Sequence, residues 1–224
     1  MTHIAELTRR VPLSGKHVVD VGAGTGAFAG QLAEAGADAV TGIEIHPAKT
    51  AQAQRQFGDV AQFRTGRAEA LPLADGCADL VTVLYAWHHI PAQLHAEAAA
   101  DIARVLCAGG LLFVAEPKTF GGMTEIVKPV EDETVVRTEA ARFLDALGAG
   151  PAFKLVEKAD YTLTRIYTDF DTLVASVVYV DPARAAAFDG SAGQMRAAFD
   201  QHARSDSTGF VVDQPTTLYL FERR

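Results

Sequence analysis

VVDVGAGTGAF, residues 18–28, carries a β-branched apolar run into Gly22-Ala23-Gly24-Thr25-Gly26 and from there directly into a helical pattern. Glycines at such a junction let the backbone turn sharply and bring a ligand against main-chain N–H groups at a helix N-terminus. The spacing also satisfies G-x-G-x-x-A through Gly22, Gly24 and Ala27, so a dinucleotide ligand has to be weighed. Glu44 closes the next apolar run, 20 residues after Gly24, where a carboxylate accepts hydrogen bonds from ribose hydroxyls in either case. Asp20, two residues before the first glycine, separates the readings: a carboxylate there suits a ligand with an ammonium group and repels a pyrophosphate. S-adenosylmethionine has that ammonium group, a ribose and no phosphate.

Outward from this stretch, HVVDV (17–21), AVTGIEI (39–45), VAQFR (60–64), DLVTVLY (79–85) and GLLFVAE (110–116) read as strands. They are nearly continuous in apolar residues, as parallel strands covered on both faces are. Helical patterns fill the intervals at 26–35, 47–57 and 91–106, the last two starting on Pro47 and Pro91 at the first helical position. The alternation predicts right-handed crossovers and a doubly wound, Rossmann-like α/β sheet. After Glu116 the pattern changes to a helix over 132–147 and strand-like pieces at 152–164 and 216–224. Between those pieces, 165–210 looks helical, with one helix from Phe170 to Val180, a cap at Asp181 and a capping box at Ser191 and Gln194. No repeat or flexible linker interrupts the chain, so residues 1–224 are read as one domain. Its cofactor-binding core is 16–117, and 165–210 is a helical lid insertion before the last strand.

Composition bounds the function. The 224 residues are 49% hydrophobic and 21% charged, a globular composition that excludes a disordered tail. Twenty basic against 28 acidic residues leave a net charge of −8 with no basic patch, which disfavours a nucleic-acid partner. Cys77 and Cys107 lack metal-type spacing and read as reduced thiols. No apolar run approaches the roughly 20 residues of a membrane span, and the first residues lack a signal-peptide core, so the expected location is the cytoplasm.

VVDVGAGTG, GIEIHP, GRAEALPLADGCADLV, LYAWHHI and VLCAGGLLFVAEP, taken together over about residues 16–117, resemble class I S-adenosylmethionine-dependent methyltransferases. The closest likeness is to the group that includes the ubiquinone and menaquinone biosynthesis methyltransferases. The resemblance implies a mostly parallel seven-stranded sheet with a C-terminal antiparallel strand, and S-adenosylmethionine as cofactor. It implies that Asp20 holds the methionine amino group and that Gly22, Ala23 and Gly24 line methionine and ribose. Glu44 would take the ribose hydroxyls, with Ile45 beside adenine. Arg67, Ala68 and Glu69 match the turn that meets adenine, commonly Asp-Ala-Glu in this family. Arg67 departs from that pattern because a guanidinium accepts no hydrogen bond; Ala68 N–H and Glu69 remain able to contact the base. Leu84 and Tyr85 would face the sulfonium and methyl.

On the acceptor side, Tyr85, His88 and His89 are the candidate catalytic side chains, in a loop at the sheet edge where ligands bind. A histidine accepts a proton near neutral pH, and a His-His-apolar run equally shapes a pocket wall. Glu116 ends the fifth strand and either reaches the pocket or caps the following loop. No metal site is expected, since adjacent histidines diverge and no suitably spaced Cys or carboxylate joins them. The insertion supplies Tyr161, Tyr167, Phe170, Tyr179, Phe188, Met195 and Phe199, first of all as a packed underside. Leu84-Tyr85-Ala86-Trp87 stands where methyltransferases acting on exocyclic amino groups of DNA carry an Asn/Asp-Pro-Pro-aromatic run. The expected activity is therefore methyl transfer to a small molecule, by a monomer or homodimer. An NAD(P)-dependent oxidoreductase and a non-catalytic S-adenosylmethionine-binding sensor are the alternatives.

Overall fold

A computed structural model describes residues Thr2 to Tyr179 and Asp181 to Arg224. Its frame is five strands: β1 (His17–Val21), β2 (Ala39–Glu44), β3 (Gln62–Thr65), β4 (Ala78–Leu84) and β5 (Leu106–Pro117). They pair in parallel, with β1 between β2 and β4. β6 (Phe153–Tyr167), β7 (Arg204–Asp206) and β8 (Gly209–Arg223) follow, in the sheet order β3-β2-β1-β4-β5-β8-β6, with β7 antiparallel to β8. The doubly wound sheet and its antiparallel C-terminal addition agree with the sequence reading. Chain order reverses between β1 and β4, and such a switch point opens a crevice at the strand ends.

Eight helices are described: α1 (His3–Thr8), α2 (Ala27–Glu34), α3 (Pro47–Phe57), α4 (His95–Val105), α5 (Gly122–Val127), α6 (Thr134–Leu147), α7 (Phe170–Val177) and α8 (Pro182–His202). Pro47 occupies the first turn of α3, where its missing N–H costs nothing. Pro91 does not start α4. Its ψ of 135° is extended, and a 3-10 turn at Ala92–Leu94 separates it from the helix.

The chain forms two compact units. One comprises Thr2–Glu116, Glu139–Ala159 and Thr217–Arg224; the other comprises Pro117–Thr138 and Asp160–Thr216. In the first, Val19, Val81, Ile102, Leu112, Leu144, Phe153 and Phe221 form a continuous buried core. Each such side chain contributes about 1.5–3 kcal/mol on removal from water. Arg10 ties α1 to β6 by donating to Glu6 and to Glu157, the latter at 2.8 and 3.0 Å.

In the second unit, Ile126, Tyr167, Leu173, Val177, Met195, Phe199 and Val212 make a separate core. Tyr161 is buried as well, and Phe170 and Phe188 pack at the margin of that core, whereas Tyr179 is exposed. The helical stretch departs from the sequence reading. The capping box at Ser191 does not form, because α8 runs unbroken through Gly190 and Gly193. Burial of Met195 and Phe199 outweighs the roughly 1 kcal/mol that each glycine costs a helix. The helices end at His202. β7 and an early start of β8 occupy the stretch read as helix up to 210, with Arg204 opposite Val211. α7 ends at Val177, and Val180, read as the end of that helix, lies outside the described residues.

Candidate cofactor site at the switch point

At the end of β1 the chain needs glycine for two separate reasons. Gly22 has φ +78°, and a Cβ there would stand 2.5 Å from the Cβ of Ala86, so the loops after β1 and β4 touch backbone to side chain. Gly24 has φ +57° with nothing within 4 Å of a would-be Cβ, which leaves open space above the start of α2. Four of the loop's N–H groups are bonded within the fold. Gly22 and Ala23 donate to the Ile43 carbonyl at 2.8 and 3.0 Å, Gly26 donates to the Ala23 carbonyl at 2.9 Å, and Gly24 donates to a Glu44 oxygen at 2.9 Å. Of the main-chain N–H groups expected to meet a ligand at this junction, these four have acceptors within the fold. The loop lines a space without offering these N–H groups, and a pyrophosphate depends on such groups.

Glu44 is buried at the end of β2, and its second oxygen accepts from His46 N–H at 3.0 Å. Each oxygen has one bond, and a carboxylate has capacity for about four, so both can accept further hydroxyls. Next to it, Ile45 is 45% exposed, a large apolar side chain left open at the sheet edge. Gly66 donates to the Glu44 carbonyl at 3.0 Å, which brings the turn after β3 alongside. In that turn Arg67 pairs with Glu69, and Ala68 packs on the core.

Asp20 is 2% exposed on β1, in register with Gly42 of β2 and Thr82 of β4. Thr82 Oγ1 donates to Asp20 Oδ1 at 2.8 Å. Burial pushes the Asp20 carboxyl up to about 7; the Thr82 bond works against this and nearby Glu44 adds to it. Among the described residues no cation offsets this carboxylate, an unusual state for a buried acid.

Leu84 ends β4, and Tyr85 follows with φ +51°, the one non-glycine residue with positive φ among those described. A tyrosine in that region stores about 1–3 kcal/mol of strain, and such outliers cluster at functional sites. The Tyr85 N–H is held by the Ala115 carbonyl at 2.8 Å, and its ring meets the His3 ring edge-on at 4.9 Å. Glu116, at the end of β5, secures the rest of this loop. Its buried carboxylate accepts the N–H groups of Ala86, Trp87 and His88 at 3.1, 3.0 and 3.3 Å and pairs with His88 Nδ1. Glu116 thus caps the loop after β4, whereas the sequence reading has it reach the pocket or cap the loop that follows it. His88 is buried, whereas His89 is exposed with its ring 4.1 Å from that of His88. His95, by contrast, is a core histidine: it packs on Trp87 and Phe143, bonds the Ile90 carbonyl, and burial lowers its pKa.

The structure gathers Asp20, Gly22, Ala23, Gly24, Glu44, Leu84 and Tyr85 around the β1/β4 switch point, with Ile45 and the 67–69 turn toward β3 and His88 and His89 just past β4. Two residues escaped the sequence reading. Thr82 left a trace, as a hydroxyl inside an apolar strand. His3 left none, since its contact with Tyr85 exists only through the tertiary fold.

Residues 19–114 match the family described as methyltransferase domain. The demethylmenaquinone methyltransferase of Beutenbergia cavernae is 34% identical over 105 residues, 47% of this chain and 42% of that protein. An O-methyltransferase of Aspergillus sclerotiorum is 32% identical over 108 residues, 46% of this chain and 40% of its own. The matched stretch thus spans less than half the length of these relatives. Among solved structures, a Bacillus halodurans protein covers 98% of both chains with a TM-score of 0.64 at 19% identity. A [4+2]-cyclase covers 98% of this chain and 78% of its own, also at 0.64, with 20% identity. These likenesses show the fold alone, and the cyclase makes plain that the fold does not name the reaction.

Proposed function

We propose that the chain carrying this methyltransferase-family segment binds S-adenosylmethionine across the ends of β4, β1, β2 and β3 and methylates a small organic acceptor. The observation that carries this reading is Asp20: a buried carboxylate with no cation to offset it among the described residues, one strand away from Glu44, whose oxygens each accept one backbone N–H. A ligand with an ammonium group at one end and a ribose next to it supplies what both acids lack. In this reading Asp20 faces the ammonium, directly or through a water, and Gly22, Ala23 and Gly24 line methionine and ribose. Glu44 takes the ribose hydroxyls, Ile45 covers the base, and Arg67, Ala68 and Glu69 border it. The bonded N–H groups of the glycine loop and the negative charge of Asp20 both speak against a dinucleotide pyrophosphate.

S-adenosylmethionine supplies a methyl group on a sulfonium, ready for in-line displacement. Positive charge disappears in that displacement, so the protein's main task is alignment, worth up to about 7–11 kcal/mol. Leu84 and Tyr85 border the position of the methyl, and the fixed backbone of the Tyr85 loop holds them still. Where the acceptor atom carries a proton, His88, held at Nδ1 by Glu116, and His89 are the side chains able to take it. A net charge of −8 favours a small acceptor over a nucleic acid. The same reading places the protein in the cytoplasm, as a monomer or homodimer.

Calorimetric titration with S-adenosylhomocysteine and with NAD tests the cofactor. Binding of the first and not the second is expected, and binding of NAD alone would overturn the reading. Incubation with methyl-labelled S-adenosylmethionine and a metabolite extract should then label a small-molecule fraction. Cofactor binding with no label in any fraction would instead make the protein a sensor.

A further inference from the structure

We infer that Thr82 is a positioning residue that selects the ionised form of Asp20, so that the site takes up an ammonium-bearing ligand by releasing a proton. The inference rests on the cofactor reading above and adds how that end of the site is controlled. Its basis is the register of β1 and β4, which puts Thr82 directly beside Asp20, both nearly inaccessible to water. The Thr82 hydroxyl is spent on Asp20 Oδ1 at 2.8 Å. On the other flank, Gly42 is in register with Asp20 and carries no side chain. Among the described residues, Thr82 therefore makes the one hydrogen bond to the carboxylate from within the sheet.

The charged surroundings of Asp20 are sparse. Glu44 on β2 acts on it and disfavours its ionisation. α2, which packs on β1, carries one charged side chain, Glu34, exposed in its last turn. On β4 the charged residue is Asp79, which bonds the His17 N–H at the opposite end of β1. Burial thus drives Asp20 toward its neutral form, and the Thr82 hydroxyl opposes this by donating to the carboxylate. An ammonium group tips the balance fully to the ionised form, and the proton leaves to solvent as the ligand binds. A protonated Asp20 loses its attraction for that ammonium, so proton and ligand compete.

Two ligands separate this coupling from any general effect of pH. S-adenosylhomocysteine carries the ammonium group; 5′-methylthioadenosine keeps base, ribose and thioether and lacks the amino-acid end. In calorimetric titrations between pH 5.5 and 8, the Kd of S-adenosylhomocysteine should be flat at the top of the range. Below a bend near neutrality it should rise by about tenfold per pH unit. The Kd of 5′-methylthioadenosine should show no such bend. Thr82→Val should move the bend up by about one pH unit, and Thr82→Ser, which keeps the hydroxyl, should restore it. A flat profile for S-adenosylhomocysteine, a parallel rise for both ligands, or a Thr82→Val profile that bends where the wild type does would each overturn the inference. If Thr82→Val does not fold, Thr82→Ala, which also lacks the hydroxyl, takes its place with the same upward shift of the bend expected. Failure of both ligands to bind at any pH would overturn the cofactor reading itself, a result distinct from tight but pH-independent binding.

Discussion

Asp20 puts binding and stability in opposition. Its carboxyl is pushed to about 7 in the folded chain from an ordinary 3.8, so the folded state holds a proton that the unfolded state has lost. Stability from this group is complete below the unfolded value and is lost as pH rises through about 4–7. Asp20→Asn removes the effect, its amide oxygen still accepting from Thr82. In the ligand-free protein it should therefore stabilise by about 1–4 kcal/mol at pH 8 and far less at pH 5. Thermal unfolding at the two pH values checks this; an equal gain at both would show that burial does not govern Asp20. Gly22 is the opposite case, a residue whose replacement has no benefit. Gly22→Ala adds positive-φ strain of about 1–3 kcal/mol to a 2.5 Å clash with Ala86. The variant should unfold at clearly lower denaturant, whereas Gly24→Ala, with open space around its Cβ, should bear the strain alone. Both requirements were half legible: the glycine pattern was plain in the sequence, but the neighbour across the strands was not.

Among elements, the loop between β4 and α4 depends on a carboxylate from a different strand. Glu116 satisfies three consecutive backbone N–H groups and one imidazole nitrogen, those of Trp87 and His88 buried and that of Ala86 partly so. Glu116→Ala leaves these donors without their acceptor and should cost about 3–5 kcal/mol, in the range of broken buried ionic networks. Amide exchange at Ala86, Trp87 and His88 should accelerate well beyond the change elsewhere in the sheet. Uniform acceleration would mean that Glu116 acts only on global stability. α8 gives an element-scale test with the opposite sign. Gly190 and Gly193 lie in its interior, exposed, with nothing within 4 Å of an added Cβ. Gly190→Ala and Gly193→Ala should each stabilise by about 0.5–1 kcal/mol, read as a rise in unfolding temperature. Periodicity alone broke this helix at Ser191, because local cues favour a cap there and the burial of Met195 and Phe199 is a tertiary fact.

At the scale of the molecule, charge and fold narrow the acceptor from different sides. A net charge of −8 sets a repulsive field against phosphate backbones. Mobility shifts with single- and double-stranded DNA and RNA at low salt should show no complex, and micromolar binding would reopen the nucleic-acid class. No helix among the described residues is long and apolar enough to cross a membrane. The two compact units have separate cores, one made of the strands and helices of the family-matching segment with later additions, the other of α5, α7, α8 and the start of β8. The sequence read this second body as an insertion over 165–210, yet it recruits residues from 117 onward, because α5 supplies Ile126 and Val127 to the same core.

The sequence by itself determined the alternation of strands and helices, the glycine junction, the placement of Asp20 and Glu44 at strand ends, and the likeness of residues 19–114 to a methyltransferase domain. These are local properties, set by apolar run length, turn chemistry and spacing along one chain. Only the tertiary structure decided which groups those residues face. It gave Asp20 its hydroxyl partner, with no cation beside it among the described residues, took up four of the glycine-loop N–H groups within the fold, and turned Glu116 to the Tyr85 loop. Each of these depends on which strands lie side by side and in what register. That is a property of the assembled sheet, where burial and hydrogen-bond geometry act between residues distant in the chain, such as Asp20 and Thr82, 62 positions apart.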